Sequence, residues 1–186
     1  MSNEIIVGIS GASGVEYGIR LLETLRNMEI KTHLVVSDTA KQLIHIETDF
    51  PQHELEKLSN HVYADDDFTA PIASGSYKTR GMVIAPCSMK TLASIALGIS
   101  DTLISRAADV CLKQKRPLIL MVRETPLNLV HVRNMEKAIE AGASILPACP
   151  AFYPKPNTID DILNFMVGRA LDLLNIDHDL YKRWGE

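Results

Sequence analysis

Serine, threonine and glycine gather at two places in this 186-residue chain where an anion could be held. Gly11-Ala12-Ser13-Gly14 follows the apolar run Ile5–Ile9, and Cys87-Ser88-Met89-Lys90-Thr91 follows Met82-Val83-Ile84-Ala85-Pro86. Each passes from a buried-strand pattern through small, hydroxyl-bearing residues into a helical pattern. Such a turn aims backbone N–H groups at whatever sits on the helix start, and the helix dipole favours negative charge there. Lys90 adds a cation to the second turn. The two together point to a phosphorylated cofactor bound outside the carboxyl ends of the strands. Taken alone the first turn is the weaker sign, because small residues after a first strand also serve tight helix–sheet packing. It is not a dinucleotide fingerprint: G-x-G-x-x-G is absent, and Ser37 stands where an acidic residue would follow the second strand. A mononucleotide such as FMN fits better.

A third cluster lies at Arg116–Leu127. Its apolar centre, Leu118–Val122, reads as a strand, which puts Arg123-Glu124 at the carboxyl end, on the same rim as the two turns. A solvent-exposed Arg–Glu pair flanking a proline turn is the plain reading, but adjacent strand residues point to opposite faces, so the two would not form a simple ion pair and separate roles are favoured.

The elements that must position these groups alternate along the chain. Strands are predicted at Ile5–Ile9, Thr32–Val36, Met82–Ala85, Leu118–Val122 and Ser144–Pro147, each a short apolar run as expected when both faces are covered. Helical patterns lie between them. From Val15 to Met28 the apolar positions Val15, Ile19, Leu22, Leu25 and Met28 recur every three or four residues, and the segment from Ile159 to Leu174 repeats this behind Thr158. Alternation of this kind predicts one α/β domain over 1–186, a Rossmann-like (flavodoxin-like) parallel sheet with helices on both faces. The region from Asp49 to Tyr77 is the least regular, and its acidic triplet Asp65-Asp66-Asp67 reads as a solvated turn.

Composition narrows the function. A net charge of -4 gives no field that would draw nucleic acid or an anionic membrane, and the cations form no stripe. No apolar run approaches the ~18 residues of a membrane span, and the start of the chain carries no export signal, so the expected location is the cytoplasm. Cys87, Cys111 and Cys149 have neither disulfide nor zinc spacing and read as buried small hydrophobes. His33, His45 and His131 read as packing or interface residues, and Trp184, the only Trp, as a docking anchor for the tail.

Four motifs in order carry a family resemblance: G-A-S-G at 11–14, A-P-C-S-M-K-T-L at 85–92, R-P-L-I-L-x-x-R-E-T-P-L at 116–127, and Pro147-Ala148-Cys149-Pro150-Ala151-Phe152-Tyr153. They resemble the UbiX-type flavin prenyltransferases, including the B subunits of phenolic-acid decarboxylase systems, from Gly8 to Glu186. The resemblance implies transfer of a dimethylallyl group from dimethylallyl monophosphate to N5 and C6 of reduced FMN, without a metal. It also implies a homo-oligomer, a dodecamer built from trimers, and a UbiD-type decarboxylase that receives the prenylated FMN.

Residue by residue, the family pattern implies that Gly11, Ala12, Ser13, Ser37, Ser88, Met89, Lys90, Thr91 and Arg123 contact FMN or frame its pocket. Lys113, Tyr153 and Arg169, with Arg123, would hold the dimethylallyl phosphate, partly across a subunit interface, and Arg106 would stand in the neighbouring shell. Ser13, Glu47 and Glu124 are the implied catalytic residues; Glu124, Glu47 and the released phosphate all remain candidates for the base at C6. Two other readings compete. An FMN-dependent cysteine decarboxylase would carry a P-x-M-N-x-x-M-W clamp where this chain has Pro-Ala-Cys-Pro-Ala-Phe-Tyr. An FMN carrier subunit would not need the second anion site.

Overall fold

The computed structural model describes residues 3–185, so Glu186 of the tail lies outside the described residues. Among the described residues there are six parallel strands, most of them short apolar runs bounded by charged or turn residues: β1 (Glu4–Ile9), β2 (Lys31–Val36), β3 (His61–Tyr63), β4 (Gly81–Cys87), β5 (Leu118–Val122) and β6 (Ser144–Ile145). They form one sheet in the order β3-β2-β1-β4-β5-β6. Seven helices among the described residues connect and cover them: α1 (Glu16–Asn27), α2 (Asp38–Glu47), α3 (Gln52–Lys57), α4 (Met89–Ala96), α5 (Leu103–Lys113), α6 (Leu129–Glu140) and α7 (Ile159–Leu173).

The two-residue strand period divides the core. Ile5, Val7 and Ile9 of β1 pack with residues of α1, α2, α3 and α7, while Ile6 packs with residues of α4, α5 and α6 on the opposite face. Both faces are therefore covered, which is why the strands read as continuous apolar runs and not as alternating ones. Each fully buried Leu or Ile contributes about 1.5–3 kcal/mol, so stability resides in these two layers and leaves the strand ends free to be polar. The chain leaves β1 toward β2 on one side and reaches β4 on the other. This reversal opens a crevice outside the carboxyl ends of β1 and β4, the place where doubly wound sheets bind ligands.

Departures from the sequence reading are local. The irregular stretch 49–77 contains α3, the edge strand β3 and a single 3-10 turn at Pro71–Ala73. β3 is too short and too polar, with His61 at its start, to show as an apolar run. β4 runs on through Pro86 to Cys87; the register with β5 shifts between Ile84 and Cys87, which takes the proline out of the ladder. β6 stops at Ile145, before Pro147. Cys87 and Cys111 are buried as expected, and burial pushes the Cys111 thiol up to about 12, but Cys149 is exposed in the loop after β6. His33 is buried between Glu4 and Tyr63, at 3.1 Å from each, and stacks on His61. Among the described residues no helix is long and apolar enough to cross a membrane.

Candidate active site

A cavity of about 650 Å³ occupies the crevice. It is lined from β1 by Gly11, Ala12 and Ser13, from β2 by Ser37, from β4 by Ser88, Met89, Lys90 and Thr91, and from β5 by Arg123 and Glu124. Hydrogen bonds lock these strand ends together. The Ser10 hydroxyl donates to the Pro86 carbonyl at 3.0 Å and accepts from the Ser88 amide at 2.8 Å, so β1 and β4 share one rim. Arg123 Nε donates to the Ser13 carbonyl at 2.9 Å, which ties β5 to the same loop. Gly11 has a packing reason as well: a Cβ there would sit 2.6 Å from the Thr39 methyl on the first turn of α2.

Four helices start at this rim, and their first amides meet different fates. Ser37 caps α2 by accepting from the Ala40 amide, and Ser88 caps α4 by accepting from the Thr91 amide, both at 3.2 Å. Ahead of those caps the amides of Asp38, Thr39, Met89 and Lys90 have no protein acceptor among the described residues. At α1, by contrast, Glu47 Oε2 accepts from the Gly14 amide at 2.8 Å and the Val15 amide at 3.2 Å. At α5, Asp65 Oδ1 accepts from the Ile104 amide at 3.0 Å. Two helix starts are thus filled by the protein's own carboxylates and two are open to a ligand anion.

The sequence-derived residues divide accordingly. Gly11, Ala12, Ser13, Ser37, Ser88, Met89, Lys90, Thr91, Arg123 and Glu124 all line the cavity. Glu47 does not; it sits behind the Gly11–Gly14 loop on the α1 amides. Lys113 is exposed at the far end of α5, nine residues or about 14 Å along the helix from the cavity-lining Ile104. Arg106, between them, donates to the Ala73 carbonyl at 3.1 Å and pairs with Asp109. Tyr153 and Arg169 lie together at α7 and the tail: the Tyr153 ring meets Phe165 and Trp184 edge-on, and Arg169 pairs with Asp172. Within one protomer, then, the implied FMN residues converge; of the implied donor-phosphate residues Arg123 joins them, whereas Lys113 lies at the end of α5 and Tyr153 and Arg169 lie at α7 and the tail.

Several lining residues escaped the sequence reading. Asp65 is half-buried and faces the cavity, where the triplet had read as a solvated turn. Burial pushes its carboxyl above the ordinary value, against the opposing hydrogen bonds from the Ile104 amide and Thr102. Thr39, Leu43, Thr102 and Ile104 complete the wall. The Thr102-x-x-Ser105 capping box was a readable sign of a helix start at this rim; Asp65, in an irregular loop, gave no such sign. Among the described residues no group of three or more His, Cys, Asp or Glu is placed to hold a metal ion.

Comparison with known proteins agrees over nearly the full chain. The Flavoprotein family model matches residues 1–171. A flavin prenyltransferase UbiX from Methanocaldococcus jannaschii is 50% identical over 182 residues, covering 98% of this chain and 98% of its own. A UbiX crystallised with FMN and dimethylallyl pyrophosphate superposes with a TM-score of 0.96 at 45% identity, over 98% of this chain and 97% of that one. A dodecameric FMN-dependent UbiX-like decarboxylase from Escherichia coli O157:H7 gives 0.95 at 43%, over 98% and 100%. With one fold and 43–50% of its residues in common with these proteins, the chain belongs to the UbiX flavin prenyltransferase family of flavoproteins.

Proposed function

We propose that this protein transfers a dimethylallyl group from dimethylallyl monophosphate to reduced FMN, and that a UbiD-type decarboxylase uses the product. The observation that carries the reading is the convergence of Gly11–Ser13, Ser37, Ser88–Thr91 and Arg123 on one cavity at the β1/β4 switch point. The residues fit FMN: the open amides of α2 and α4 with the Ser37, Ser88 and Thr91 hydroxyls suit its phosphate, and Leu43, Met89 and Ile104 give apolar contact for its ring. Reduced flavin, when bound, supplies the nucleophilic N5 and the C6 carbon at which the new ring closes.

The chain's own groups do the rest. Lys113 and Arg169 bring two positive charges and Tyr153 a hydroxyl to the departing phosphate, which favours ionisation of the allylic C–O bond. Glu124 accepts the proton from C6. It lines the cavity and one of its oxygens is committed to the Thr125 amide, whereas Glu47 is engaged by the Gly14 and Val15 amides just before α1 and fixes the loop that carries Ser13. Lys113, Tyr153 and Arg169 stand apart from their own cavity, so the reading places them over a neighbour's in a cytoplasmic homo-oligomer, a dodecamer. Exposed Leu127, Leu129, Val130 and Val132 at the start of α6, with Leu97 and Ile99 after α4, support burial between subunits.

Anaerobic incubation with reduced FMN and dimethylallyl monophosphate, followed by mass and absorbance analysis of the bound flavin, tests the assignment. A flavin heavier by one dimethylallyl group supports it, and unchanged FMN overturns it. Glu124→Gln should slow product formation about 100-fold with little change in FMN affinity.

A further inference from the structure

Beyond the last turn of α7 one carboxylate collects four partners. Asp172 Oδ2 accepts from Arg169 Nη1 at 2.9 Å and from the Tyr181 hydroxyl at 2.6 Å, while Oδ1 accepts from His178 Nε2 at 3.1 Å and Arg183 Nη2 at 3.0 Å. His178 Nδ1 accepts from the Leu180 amide at 3.2 Å, so Nε2 is the nitrogen that donates to Asp172. Burial pushes the Asp172 carboxyl up, but hydrogen bonds from Tyr181 and Arg183 outweigh this and hold it below the usual range. Two guanidiniums thus share one carboxylate.

The tail reaches this position through a notch. A Cβ on Gly168 would lie 2.7 Å from both the His178 and Tyr181 rings, so only glycine lets the tail lie flat on α7. From there Tyr181 packs on Phe165, and Trp184 packs edge-on against Tyr153 at 5.2 Å. One strap therefore touches both Tyr153 and Arg169.

The Arg169 fork shows what the arrangement is for. Nη1 is occupied by Asp172 and the Tyr181 hydroxyl, whereas Nε and Nη2 have no partner among the described residues. That free edge is the one that grips a phosphate with two parallel hydrogen bonds. We propose that the strap 178–184 positions the donor-phosphate groups, with Asp172 as the positioning residue that holds Arg169 by one edge and presents the other. This rests on the reading of Arg169 and Tyr153 as donor-phosphate residues.

The test compares Asp172→Asn and Arg169→Ala in the assembled enzyme loaded with FMN, measuring KM for dimethylallyl monophosphate, kcat, inhibition by inorganic phosphate, and FMN affinity. Arg169→Ala should weaken both donor and phosphate about 100-fold. Asp172→Asn should weaken both about 10-fold with kcat within about threefold and FMN affinity unchanged, a split that general loss of structure would not produce. Tyr181→Phe keeps the ring packing, removes only the hydroxyl and should cost about threefold; it carries the test if Asp172→Asn does not assemble. If Arg169→Ala weakens the donor while Asp172→Asn and Tyr181→Phe bind it as wild type does, the positioning role is overturned. If Arg169→Ala is itself without effect, the reading beneath falls and takes the inference with it.

Discussion

The helix starts of α1 and α4 look alike in sequence, each a small-residue turn after an apolar strand, yet they end in opposite states. The α1 start is occupied by Glu47, and the α4 start faces the cavity with the amides of Met89 and Lys90 unclaimed. The pair α5 and α2 repeats the contrast, with Asp65 on one and an open start on the other. A helix N-terminus is therefore an anion site only where no side chain from elsewhere in the fold has already taken it. Glu47 is 33 residues from Gly14 in sequence, so nothing local to the G-A-S-G turn reveals the difference.

The strongest way to break this comparison is to fill an open start. Ser88→Asp keeps a good helix cap and puts a fixed negative charge where the α4 amides now wait. FMN affinity should fall by about 100-fold or more in a calorimetric titration, with helix content unchanged. Equal affinity in the variant would show that the α4 start is not where the phosphate binds. The converse is to empty a filled start. Glu47→Ala removes the acceptor of two amides and should cost about 2 kcal/mol, or roughly 4–8 °C in Tm by calorimetry, while FMN affinity changes less than about threefold. A large loss of FMN affinity at unchanged Tm would reverse the assignment of the two starts.

The smallest effect concerns Asp65. Its folded carboxyl is raised, so its contribution favours folding below the unfolded value near pH 4 and is lost as pH climbs through the folded one. Asp65→Asn still accepts from the Ile104 amide but no longer titrates. Its Tm should therefore gain on wild type between pH 4 and pH 7, by only about 1 °C because the half-exposed carboxylate is screened by water. A difference in Tm that does not change with pH would show that Asp65 titrates alike in the folded and unfolded chain.

The long, regular elements were legible because their signals are local. Val15 to Met28 and Ile159 to Leu174 show their apolar stripes within a few turns, and both helices stand within a residue of the expected ends. The rim turns were legible for the same reason: Ser88 and Ser37 are N-caps, and a cap is written in three or four consecutive residues. What stayed hidden depends on distant partners. Ser10 bonds across 76 and 78 residues to Pro86 and Ser88, Asp65 reaches Ile104 from an irregular loop, and β3 exists because β2 pairs with it. Lys113, Tyr153 and Arg169 were reached through family resemblance alone; their positions within one protomer do not bring them to the cavity.

The bond from Arg123 Nε to the Ser13 carbonyl, which spans 110 residues, has a consequence for how the protein is made. The cavity wall is contributed by loops after β1, β2, β4 and β5, and the last of these emerges only when two thirds of the chain has been synthesised. A nascent chain halted before Arg123 has the first three walls but lacks the clamp that holds the Ser13 loop in place. Ligand binding therefore adds most to the stability of a chain that already carries Arg123 and has closed the rim.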